Sequence, residues 1–102
     1  MQISFVRTGG FAGLRQTAQV DVTTLPPDQA RQVRAWLAAA DFFHLPQTLT
    51  APHPQPDRFQ YQITIETDTE RHTVRTSEET MPKSLRPLVD WLTAQTRPYR
   101  PQ

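Results

Sequence analysis

The sequence predicts an α+β fold of order ββαββα, a four-stranded antiparallel sheet with two helices packed on one face. Three observations predict it. Apolar and polar residues alternate at period two on either side of two turn signals. Two further stretches carry apolar residues at spacings of three and four. The hairpin-then-helix pattern occurs twice within 102 residues, the length of one domain. Both helices then cover the apolar side of the sheet, and its polar side faces water.

The first strand holds Ile3 and Phe5 and ends near Thr8. Gly9-Gly10-Phe11-Ala12-Gly13 follows, with every glycine of the chain, and supplies the backbone freedom that a tight reversal needs. In the returning strand Leu14, Ala18, Val20 and Val22 share one face, and Arg15, Thr17, Gln19 and Asp21 the other. Pro26-Pro27-Asp28 opens a helix, since proline is tolerated where N–H groups lack an intrahelical partner and Asp28 suits the positive end of the dipole. Its stripe is Ala30, Val33, Trp36, Leu37 and Ala40, and it ends around Asp41. Residues 41–57 read as irregular: Asp41 to Pro46 is apolar, and Pro52, Pro54 and Pro56 alternate with His53 and Gln55, which favours an extended path. Phe59, Tyr61, Ile63 and Ile65 mark a third strand, Thr67–Glu70 a turn, and His72–Thr76 a fourth strand. Leu85, Leu88, Val89 and Leu92 form a second helical stripe, with Ser84 as the expected N-cap and Pro87 in the first turn. Residues 1–96 are therefore read as one domain and 97–102, with two prolines, as a flexible C-terminal tail.

The bulk numbers narrow the function classes. A domain of this size buries about 60–65% of its unfolded surface, enough for one core and too little for a deep cavity inside it. Eleven basic residues face ten acidic ones, which argues against a purely electrostatic partner such as bulk nucleic acid or an anionic membrane. Ten of the eleven are Arg, a residue suited to planar and stacked contacts, and genomic base composition gives the same bias. Without cysteine the chain has no disulfide and no thiolate metal site, and a small unstapled domain points to a reducing, cytoplasmic setting. Met1–Val6 lacks the basic flank and apolar run of a signal peptide, and no apolar segment reaches the roughly 20 residues that span a bilayer.

The search for chemistry yields little. His44, His53 and His72 are scattered, without a zinc-ligand spacing, and read as ordinary surface or core residues. The three serines Ser4, Ser77 and Ser84 sit outside any nucleophile-elbow pattern. Glu78-Glu79 is the one adjacent carboxylate pair and reads as a solvated turn. The glycines join two strands instead of preceding a helix, so they serve chain reversal and form no phosphate cradle. No catalytic residue, metal or cofactor is expected. Phe59 and Tyr61 beside Arg58 could stack single-stranded nucleic acid, yet they share a face with Ile63 and Ile65, where burial is the plainer fate. Surface for protein contact remains. Phe11, on the glycine-rich tip, is either a projecting anchor or a side chain folded back on the core. Phe42-Phe43 beside Leu45 reads as core closure. Trp91, off the main stripe, is either an interface anchor or a widening of the core.

Five segments in order resemble one family. Ser4-Phe5-Val6-Arg7-Thr8-Gly9-Gly10-Phe11-Ala12-Gly13-Leu14 is similar to the opening of emfourin-type proteins. So are Leu25-Pro26-Pro27, Ala40-Asp41-Phe42-Phe43 followed after one residue by Leu45-Pro46, Asp57-Arg58-Phe59-Gln60-Tyr61-Gln62-Ile63, and Ser84-Leu85-Arg86-Pro87-Leu88-Val89-Asp90-Trp91-Leu92. The resemblance runs from about residue 2 to residue 93. It implies a cytoplasmic protein inhibitor of protealysin and other thermolysin-family zinc metallopeptidases. The target's zinc then lies in a cleft between two lobes, beside a subsite for large apolar side chains. The contact residues expected from this are Phe11 as a wedge, Gly9, Gly10 and Gly13 shaping the tip, and Arg7 and Arg15 flanking it. Zinc ligation through His53, and the loop 46–57 as contact surface, are the rivals. The chain is expected to be a monomer when free, to bind no nucleic acid or membrane, and to need no cofactor. Two other readings stay open: a protein-interaction module without inhibitory activity, and a single-strand nucleic-acid binder whose affinity falls steeply with salt.

Overall fold

The computed structural model describes residues 1–9, 14–49 and 59–98, with Leu14, Arg97 and Pro98 described by their backbone only. The order is β1 (Gln2–Gly9), β2 (Leu14–Asp21), α1 (Pro27–Ala40), β3 (Thr48–Leu49), β4 (Phe59–Glu66), β5 (Arg71–Ser77), α2 (Arg86–Gln95) and β6 (Arg97–Pro98). Short 3-10 turns at Val22–Thr24 and Phe42–His44 frame α1.

Among the described residues six strands form one sheet in the order β3-β5-β4-β1-β2-β6. The two expected hairpins, β1–β2 and β4–β5, are its middle, and β1 pairs with β4 to join them. All three pairings are antiparallel. The expected four antiparallel strands are therefore a correct centre and an incomplete sheet. β3 adds to β5 in parallel, with Thr48 opposite Arg75 and Leu49 opposite Thr76, and β6 adds to β2. Strands of two residues leave no periodicity to read, which is why both edges escape a pattern search.

Ile3, Phe5, Ala18, Val20, Tyr61, Ile63, Ile65 and Val74 are buried on one side of the sheet. Against them lie Ala30, Val33, Leu37 and Ala40 of α1 and Leu88, Val89 and Leu92 of α2, in a single core. The opposite side carries Ser4, Gln62, Thr64 and Thr73, with a hydroxyl bond of 2.8 Å between Thr64 and Thr73 across β4 and β5. Each helix stripe is the one its spacing predicts.

Asp21 caps the first 3-10 turn, accepting from the Thr23 N–H at 3.0 Å and the Thr23 hydroxyl at 2.6 Å. The hydrogen bond from the Thr23 side chain, then that from its N–H, hold the Asp21 carboxyl below the ordinary carboxylate range. α1 ends at Asp41, whose φ of 51° and ψ of 52° place it in the left-handed region. Ser84 is not the cap of α2. Leu85 holds that position, fully buried and without a side-chain cap, because the turn before the helix directs it into the core. Pro87 does fall in the first turn.

Phe42 is 1% exposed and Phe43 half-buried, with ring centroids 5.7 Å apart. His72 meets the Phe42 ring edge-on at 5.6 Å, and its Nε2–H donates to the Leu45 carbonyl at 2.7 Å. That bond fastens the segment after α1 onto the sheet. Trp91 is half-buried and packs against Trp36 at 6.4 Å, so it bridges the two helices and widens the core. No helix among the described residues is long and apolar enough to cross a membrane.

Candidate functional site

The register of β1 gathers one end of the sheet. Gly9 lies opposite Leu14 on one side and opposite Phe59 on the other. The residues flanking 10–13 and the residue that follows 50–58 are thus neighbours across three strands. β3 runs parallel to β5 towards this same end, where Gln60 pairs with Ser77. Glu78 N–H adds a bond of 3.0 Å to the Phe59 carbonyl. Pro98 of β6 lies opposite Gln16, so the chain leaves β6 in the same direction. Gly9 has φ of 104°, a value open to glycine and costly for a residue with a Cβ.

The core face changes character as it approaches this end. Phe5 and Tyr61 stack with centroids 6.0 Å apart, both buried. The next position on β1 of the same parity is Arg7. Its guanidinium carbon stands 3.6 Å from the centroid of the Phe59 ring, and its Nη1 donates to Gln16 Oε1 at 2.7 Å. The Arg7 Nε is buried and finds no hydrogen-bond acceptor among the described residues. A cation over a ring face is an attractive arrangement, and the more so where water is excluded. One charged side chain therefore touches β2 and β4 at once, two residues before Gly9 in β1.

A second tie closes the β5 side of this end. The Thr80 hydroxyl donates its one proton to the Leu49 carbonyl and so acts as an acceptor in its other bonds. Ser77 Oγ must then donate to Thr80 Oγ1, 2.8 Å away. Ser77 N–H reaches the same oxygen at 3.2 Å. Thr76 and Ser77 are both buried there, with their polar groups satisfied within this turn.

The expected contact residues divide accordingly. Arg7 lies on the core face and Arg15 is exposed on the open face, so they flank the tip from opposite sides of the sheet. Gly9 is the last described residue of β1. Gly10, Phe11, Gly13 and His53 lie outside the described residues. The reasoning from pattern missed Gln16 and Phe59 as partners of Arg7. A signal existed: Gln16 interrupts the apolar parity of Leu14, Ala18 and Val20, and Arg7 interrupts that of Ile3 and Phe5. Two polar residues at facing positions of one apolar face suggest that they meet.

The aromatics that could have stacked nucleic acid are taken up by the protein itself. Tyr61 lies in the core against Phe5, and Phe59 lies beneath Arg7. Among the described residues no group of three His, Cys, Asp or Glu is close enough to hold a metal ion.

The family model described as Emfourin matches residues 5–93 of the chain. No curated protein matches, and no solved structure does.

Proposed function

Because the chain belongs to the emfourin family, we propose that it inhibits a thermolysin-family zinc metallopeptidase by filling the enzyme's active-site cleft. Metallopeptidase inhibition in general is the role that this family supports. The thermolysin-like target, the cleft as the point of contact and action in the cytoplasm are our own reading.

One observation carries the contact surface: Gly9 sits opposite both Leu14 and Phe59. Residues 10–13 and 50–58 therefore join the sheet at adjacent places, and both can address one partner. Phe11 supplies the large apolar side chain that the subsite beside the zinc would accept. Gly10 and Gly13 allow the reversal, and Arg15 offers a charge at the rim. A rigid sheet beneath reduces the ordering cost of association. An interface of about 1,600 Å² in total would be ordinary for a protease inhibitor. His53 lies in the chain between Leu49 of β3 and Phe59 of β4, and zinc ligation through it is the competing detail.

The test is a titration of a thermolysin-like peptidase with the purified protein, following cleavage of a small peptide. Stoichiometric loss of cleavage is expected. Phe11→Ala should weaken inhibition by about 2 kcal/mol, the size of an interface hot spot, with an unchanged melting temperature. Equal inhibition by Phe11→Ala would remove the wedge, and full cleavage at large excess would remove the inhibitor reading. Retained inhibition by His53→Ala is expected, and its loss would favour zinc ligation.

A further inference from the structure

We infer that Arg7 is a positioning residue: it holds Gly9 and Phe59, the anchors of the two proposed contact segments, in one fixed arrangement, and contributes little to folding. The inference rests on the inhibitor reading for its consequence and on the described residues alone for its geometry.

Three facts lead to it. The guanidinium lies 3.6 Å over the Phe59 ring, on the strand opposite Gly9. Its Nη1 reaches Gln16 on β2 at 2.7 Å. Its Nε is buried without an acceptor among the described residues. The third fact separates positioning from stability. A buried donor that finds no partner opposes folding, and so does the desolvation of a charge. An apolar chain of similar length would fill this space without either cost. Ile3, Phe5, Ile63 and Ile65 show how readily the same face is filled with hydrocarbon.

What an apolar chain lacks is direction. The planar guanidinium is fixed in orientation by the ring on one side and the Gln16 oxygen on the other. It thereby couples β4 to β2 across β1, at the level where the strands end. Hydrocarbon packing would permit those ends to shift relative to one another without a comparable loss. For an inhibitor, the benefit is a contact surface assembled before the encounter.

The experiment compares wild type with Arg7→Met, which keeps the unbranched apolar chain out to the position of Nε and removes the charge and the donors. The melting temperature of R7M should equal or exceed that of the wild type. Its inhibition of a thermolysin-like peptidase should weaken about tenfold, the loss of roughly one ordered side chain's worth of preorganisation. Adding Phe59→Leu to R7M should weaken inhibition no further, because both changes remove one interaction. A residue with a merely structural role would lower melting temperature and inhibition together, and that result overturns the inference. So does R7M inhibition equal to wild type. Should R7M fold poorly, F59L alone takes its place, since it keeps apolar bulk and removes the ring face. If the wild type inhibits nothing, the inhibitor reading falls, and the positioning role is read in the free protein. Amide hydrogen exchange at Gly9, Leu14 and Phe59 should then be faster in R7M at unchanged global stability. Unchanged exchange at those three amides overturns it.

Discussion

Asp41 does two jobs with one short side chain. Its backbone ends α1 in the left-handed region, which Asp and Asn tolerate better than most residues. Its carboxylate accepts from His44 Nδ1 at 2.7 Å, and that hydrogen bond, with the attraction of the charge behind it, raises the His44 pKa above its ordinary 6.5. A raised pKa in the folded state means that the native protein holds the proton more tightly than the unfolded chain. The resulting stabilisation is complete below pH 6.5 and is lost as the pH rises through the higher folded value. Asp41→Asn keeps the backbone preference and removes the charge. The His44 titration midpoint, followed by NMR, should fall towards 6.5. The decline in stability between pH 5 and pH 8 should be smaller in this variant than in the wild type. Both partners are exposed, so the effect is a small one. The αL cap was not legible in the sequence, since Asp is unremarkable at such a position until its φ is known. Ser84 misled for the matching reason: it has the chemistry of a cap, and the turn places Leu85 there instead.

At the scale of elements, β3 shows how a strand of two residues is held. Arg75 N–H donates to the Gln47 carbonyl at 2.8 Å, and Thr80 Oγ1 donates to the carbonyl of Leu49. One backbone N–H and one hydroxyl, each donating to a carbonyl, thus fix the parallel edge. Thr80→Val has nearly the same shape and no donor. It would leave the Leu49 carbonyl and Ser77 Oγ without that partner, at a cost of about 1–3 kcal/mol. Denaturant unfolding should show this loss, and hydrogen exchange at Arg75 should accelerate more than at Val74, whose amide belongs to the centre of the sheet. The long elements were legible because each repeats a period several times: α1 over fourteen residues, β4 over eight. β3 was not, because its support comes from Thr80, 31 residues later. Separation in the chain likewise hides the contact of Arg7 with Phe59, although the parity break at Arg7 and Gln16 is visible once the hairpin is drawn.

For the whole molecule, the helix stripes and strand faces predict one core, and the structure has one core. Strand order was beyond the sequence. Hairpins pair neighbours in the chain, whereas the choice of β1 and β4 for the central contact depends on how two finished halves fit. Ile3 against Ile65 and Phe5 against Ile63 supply the fit, all four fully or almost fully buried. The candidate surface follows from this choice. Had β2 and β4 been the inner pair, Gly9 and Phe59 would not be neighbours. The family match, which begins at residue 5, covers residues 5–9 of β1 and all of β4 along this seam.

The β1–β4 seam has a further consequence, for the rate at which the protein folds. Gln2 pairs with Glu66, so the middle of the sheet is closed by contacts far apart in the chain, whereas each hairpin closes locally. Loop-closure entropy is spent before such contacts return any energy, and folding slows accordingly. Neither hairpin is stable alone, so the encounter of the two halves is the expected barrier. Ile63→Val, costing about 0.5–1.5 kcal/mol, should then act mainly on the folding limb of a chevron plot. Ala40→Gly, at the far end of α1, should act mainly on the unfolding limb.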